Sequence, residues 1–152
     1  MTFKSILPLA ALLFVFAACQ KEASTNPDAT PEPDPMDMGS TTVTTLKSGA
    51  FTGQNGYPAS GAAQIVRDNS QQHFVRLGTD FKTSFATGSV TMYLSKNSNL
   101  KLSDAASFVK LAVINKNGMH NFPITESQAT DFQYVIVWCA PAGVQFGRAE
   151  LK

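Results

Sequence analysis

Apolar residues fall into three regimes along the chain. Residues 6–16 form one apolar block, interrupted only by Pro8. Residues 20–46 show no apolar periodicity. From residue 47 onward short apolar runs recur between turn-forming clusters, many alternating with period two. That is the pattern of strands with one buried face. The densest run is Tyr134-Val135-Ile136-Val137-Trp138-Cys139, in which β-branched and aromatic residues succeed one another without a break. Such residues suit a pleated, packed surface. Alternation puts Tyr134, Ile136 and Trp138 on one side and Val135, Val137 and Cys139 on the other. A strand apolar on both faces belongs inside a packed domain, and the domain is expected to be built around it.

Further strands are predicted at residues 49–53, 60–67, 72–77, 89–95, 107–115, 119–124 and 144–151. Turns rich in Gly, Asn, Asp and Ser separate them. Residues 81–85 fit neither strand nor turn cleanly, and Pro123 breaks the 119–124 run. Thr125 stands three residues before Gln128, the spacing of a capping box, so one helical turn is expected over residues 125–131. No longer helix is legible. The fold class is therefore all-β: an antiparallel β-sandwich or closed barrel of about seven to nine short strands over residues 47–152.

The apolar block is too short to span a bilayer as a helix, and Lys4 precedes it, as in a signal peptide. Phe16-Ala17-Ala18 then leads into Cys19, an ending that resembles the bacterial lipobox, with Phe16 where Leu is usual. The resemblance implies a signal peptide over residues 1–18 and a diacylglycerol thioether on Cys19, with its amine acylated (palmitate or a similar chain). Several acyl chains give stable membrane attachment, at about 0.8 kcal/mol per buried CH₂. The expected partner is thus a lipid bilayer, and the expected location the bacterial cell envelope, on the outer membrane, periplasmic or surface-exposed. A lipidated Cys19 leaves Cys139 as the sole thiol.

Residues 19–46 read as a disordered, Pro-punctuated acidic linker. From Gln20 to Leu46 the net charge is −4, whereas residues 47–152 carry +4. The acids repel anionic headgroups, so the linker works as a stand-off. Gln20-Lys21-Glu22 resembles the start of a Gln-Lys-acidic surface-export signal. Met36 and Met38 lie in this tract and read as incidental rather than as a metal-binding pair. The bases of the domain are scattered singly, which implies a solvated surface and no nucleic-acid partner.

Cys139 is the candidate for chemistry. As a thiolate it could act as a redox group or metal ligand. As a thiol it could be a small core residue, or pair with another chain. Trp138 lies beside it. Blue-copper sites place His and Met within a few residues after the Cys, yet neither occurs after Cys139. His73, His120, Met92 and Met119 could approach only through the fold, and Met119–His120 is the best pair. No cofactor is predicted, although a bound metal or redox centre stays open. No Cys-x-x-Cys-His haem signature, Gly-x-Ser-x-Gly elbow or metalloprotease motif exists. A stand-alone enzyme is not expected.

Several segments occur in a familiar order: Leu46-Lys47-Ser48-Gly49-Ala50-Phe51, Ser60-Gly61-Ala62-Ala63-Gln64-Ile65-Val66, Phe81-Lys82-Thr83, Tyr93-Leu94-Ser95, Val135-Ile136-Val137-Trp138-Cys139 and Val144-Gln145-Phe146-Gly147-Arg148-Ala149-Glu150-Leu151. The set resembles the DM-thirteen domain, a one-cysteine module of Skeletor- and Knickkopf-type extracellular proteins and of bacterial lipoproteins. The resemblance implies an all-β domain over residues 46–152 with an electron-transfer role, its single cysteine matching Cys139. One departure is visible: the family's Gly-Pro-Asp before the Tyr-Leu-Ser strand is Gly88-Ser89-Val90 here. Two functional expectations follow. One is a redox or electron-transfer accessory using Cys139, with an unknown envelope protein or redox partner. The other is a non-catalytic binding or adhesion module with Cys139 in its core.

Overall fold

The computed structural model describes residues 42–152. The expectations for residues 1–41, including Cys19, Met36 and Met38, lie outside the described residues. In chain order the elements are β1 (Val43–Gly53), β2 (Ala59–Ser60), β3 (Ala62–Asp68), β4 (His73–Leu77), β5 (Lys82–Thr83), β6 (Val90–Ser95), β7 (Phe108–Ile114), β8 (His120–Ile124), α1 (Glu126–Asp131), β9 (Tyr134–Cys139) and β10 (Val144–Glu150). A 3₁₀ turn, Ala105–Ser107, leads into β7.

Eight strands form one antiparallel sheet in the order β7-β6-β9-β10-β1-β3-β4-β8, nearly closed into a barrel. The fold class is the one expected. β1 is the joint: Val43 to Ala50 pair with β3, while Phe51 to Gly53 pair with β10. Ser48 and Lys152 exchange a further pair of backbone bonds. The remaining two strands, β2 and β5, pair with each other. Residues 81–85, ambiguous in sequence, supply β5.

β9 lies between β6 and β10 as a central strand. Val135, Val137 and Cys139 join the interior core with Ile65, Val75, Leu77, Met92, Leu94, Phe122 and Phe146. Ile136 faces out of the barrel yet has no exposure. Its pairing neighbours are Tyr93 and Arg148. The β6–β7 connection is held across β9 to β10: Arg148 Nη1 donates to Ser98 O (3.1 Å), and the Leu100 amide donates to Gln145 Oε1 (3.2 Å).

Two glycines fix how the strands meet. Gly61, at φ 99°, splits the predicted 60–67 strand into β2 and β3. That backbone angle suits glycine, and a Cβ there would lie 2.5 Å from Phe81 Cα. At Gly49 a Cβ would stand 2.0 Å from Glu150 O, so β1 and the end of β10 approach closely only because no side chain intervenes. Pro123 sits on β8, an end strand of the sheet, where a missing N–H is tolerated. β1 starts at Val43, several residues inside the stretch read as linker. Its opening residues are β-branched, but Thr44, Thr45 and Leu46 are all exposed, so no alternation of apolar and polar positions marks them as a strand.

Candidate functional site

Cys139 ends β9, and its register locates it. Gly53, the last residue of β1, pairs with Gly147, which pairs with Val137. Cys139 is two residues further on. Val43, where the described chain enters, is at the other end of β1. An eleven-residue strand spans roughly 33 Å. The thiol and the entry point of the chain therefore lie at opposite ends of the barrel.

The side chain points inward and is fully buried. Its neighbour across the β9–β10 hairpin is Val144. Its polar partner is Thr87, whose Oγ1 lies 3.2 Å from Sγ; either atom can donate. Thr87 is exposed and belongs to the turn between β5 and β6. That turn closes on itself through the Gly88 amide, which donates to Phe85 O (2.8 Å), with Gly88 at φ 91°. Thr87 Oγ1 also donates to Ser89 O, at 3.4 Å. A neutral hydroxyl from a solvent-facing turn is thus what meets the thiol. Sequence reading misses Thr87: nothing in Ala86-Thr87-Gly88 marks it beyond a turn. Trp138 points to the opposite face, half-buried, paired with Thr91 and Gln145.

The imidazoles and thioethers do not converge. His73 begins β4 opposite Ile124, while His120 begins β8 opposite Leu77, so they occupy opposite ends of one strand pair. His120 is buried, with Nε2 3.0 Å from Lys116 O and its ring stacked on Phe122 at 5.9 Å. Desolvation holds its pKa below the ordinary 6.5; the bond to Lys116 O opposes this, and the Lys116 charge adds to it. Met119 precedes His120 and stays exposed, as adjacent strand residues face apart. Met92 is buried in the core. Among the described residues no three His, Cys, Asp or Glu side chains gather as a metal site. His120 and Met119 do share the barrel end of Cys139.

A family model described as electron transfer DM13 matches residues 50–151. The chain belongs to the electron transfer DM13 family. No curated protein and no solved structure matches it. The match takes in the last four residues of β1 and every later strand, so the DM13 unit lies within the barrel. Within that unit Cys139 is the free cysteine.

Proposed function

We propose that this DM13 chain is an electron-transfer accessory of the bacterial envelope, lipid-anchored through Cys19 and using Cys139 as a monothiol relay. Family membership supports a redox-related role. The observation that carries the role of Cys139 is its contact with Thr87: a single exposed turn separates the sulfur from solvent. Opening of that turn exposes the thiol, which loses its proton to water and attacks a disulfide of a partner. One partner sulfur joins Cys139 in a mixed disulfide, and the other leaves as thiolate. Two equivalents of a small thiol then complete the cycle. The first displaces the partner as a dithiol, and the second regenerates Cys139 and leaves as the small-molecule disulfide. Two electrons pass from the small thiols to the partner.

A second reading has its own observation. The complete burial of Cys139 among Val135, Val137, Val144 and Phe146 suits a small core residue in a binding or adhesion module. Thiol trapping on the folded protein separates the two. The relay predicts labelling of Cys139 near neutral pH much faster than global unfolding, with a rate set by local opening. Labelling no faster than unfolding in urea removes the relay and leaves the core reading.

A further inference from the structure

β7 and β8 follow one another in the chain yet form the two ends of the sheet, so the connection between them, residues 115–119, has no hairpin ladder of its own. The bonds that fix it run elsewhere. Asn117 Oδ1 accepts from the Thr83 amide (2.9 Å), and the Gly118 amide donates to Phe81 O (3.0 Å). His120, the first residue of β8, reaches back to Lys116 O. The connection is thus pinned to β5 on one side and to a buried imidazole on the other. β5 depends on those bonds. It is two residues long, and its ladder partner β2 is equally short. A two-stranded pair of that size is not stable by itself. Thr83 Oγ1 adds one bond, to Pro58 O (3.1 Å). Shortly after Thr83 comes Thr87, the contact of Cys139, on a turn that hangs between β5 and β6. A path of hydrogen bonds and chain therefore runs from His120 through residues 116–118 and β5 to the turn over the thiol.

We propose that residues 115–119 are a latch on the turn over Cys139, released by acid, with His120 as its sensor. The proposal rests on the redox reading of Cys139 and names a control on that site. The His120 ring is buried and stacked on Phe122, and the Lys116 ammonium adds to the cost of charging it. Other charges on the surrounding segments are placed differently. Arg76 of β4 alternates with the core residues Val75 and Leu77, so it faces out, where its Nε donates to Asn121 Oδ1. Asp80 Oδ1 accepts from the Ala62 amide, while Lys82 of β5 and Lys110 of β7 are exposed. Released into water, the ring regains its ordinary proton affinity, so protons favour the released state. Between pH 6.5 and the folded value, each unit of acidification multiplies the opening constant by up to about tenfold. Opening gives up the bonds from 117–118 to 81–83, leaves β5 with its short partner, and lets the turn lift Thr87 off the sulfur.

The test labels Cys139 with a pyridyl disulfide in the full chain carrying Cys19→Ser, so that Cys139 is the sole thiol. Each rate is divided by the rate in urea at the same pH, which cancels the thiolate fraction. From pH 7.5 to pH 5.5 the ratio is expected to rise at least about threefold, and to stay nearly flat when His120→Gln is added. Exchange of the Thr83 and Gly118 amides, read by NMR and corrected for intrinsic rates, is expected to rise in parallel and to exceed that of Val137 in β9 by at least about tenfold. Asn117→Ala keeps the ring and removes one latch bond, and is expected to raise labelling and Thr83 exchange at least about threefold at pH 7.5. A ratio flat with pH, a rise that persists in His120→Gln, exchange at Thr83 and Gly118 no faster than at Val137, or an Asn117→Ala chain that labels as its parent overturns the latch. A Cys139 that labels no faster than global unfolding at any pH removes the redox reading, while the amide exchange still decides the latch on its own.

Discussion

Thr87 is the residue on which the proposed thiol chemistry turns. It supplies the polar contact of a fully buried sulfur from a turn that solvent reaches. Thr87→Ala removes two weak hydrogen bonds, to Cys139 Sγ and Ser89 O, so the expected loss of stability is about 1 kcal/mol. Loosening of the turn should raise the labelling rate of Cys139 severalfold. Labelling kinetics alongside urea denaturation check both numbers on one sample. His120 makes a separate prediction. Its pKa in the folded chain is below the ordinary 6.5, because burial disfavours the charged ring. The unfolded chain therefore binds more protons between the folded value and 6.5, and stability falls as pH drops through that window. Above it, His120 is neutral in both states and contributes no slope. Urea midpoints at pH 7.5 and at acid pH should differ less in His120→Gln than in the wild type.

At the level of elements, α1 shows how short pieces are held by partners from afar. Its N-terminus carries the full capping box: Thr125 Oγ1 accepts from the Gln128 amide, and Gln128 Oε1 accepts from the Thr125 amide. Its C-terminal side is fastened by Lys47 of β1, whose Nζ donates to Thr130 O (2.8 Å) and Phe132 O (3.1 Å). A cation is favourable there on both hydrogen-bond and dipole grounds. Lys47→Met keeps the stem and removes the cation, with an expected cost of about 1 kcal/mol by thermal or urea unfolding. The two ends of α1 are unequally legible in the sequence. Thr125 and Gln128 are neighbours in the chain and announce the cap by spacing. Lys47 is remote in sequence, and nothing local points from it to Thr130. The same contrast runs through the fold. The strands around Val135 and Val137 announce themselves by composition and alternation. The start of β1 does not, because Thr44 and Thr45 pair through their backbones, Leu46 sits at a bulge, and all three side chains stay exposed. Gly61 reads as part of a strand because a positive φ leaves no mark on the hydrophobic pattern. Cys139 is legible as the thiol to watch, whereas its burial and its partner Thr87 arise only when β9 meets the β5–β6 turn.

For the whole molecule, the DM13 match over residues 50–151 lies within the barrel. The lipobox-like ending at Cys19 predicts a simple outcome. Cys19→Ser should move the chain from the membrane fraction to the soluble fraction, with the barrel's thermal unfolding unchanged. Fractionation and calorimetry of the two forms test it, and retention of the serine variant on membranes would count against lipid anchoring.

The chain enters the barrel at Val43, on a strand bonded first to β3 and then to β10. Any pull applied at Val43 acts along that strand's length, so the ladder bonds on its flanks are loaded in shear and must fail together rather than peel one by one. Resistance to such a pull is governed by the barrier to unfolding rather than by equilibrium stability. A domain pulled at this point resists unravelling from its point of attachment.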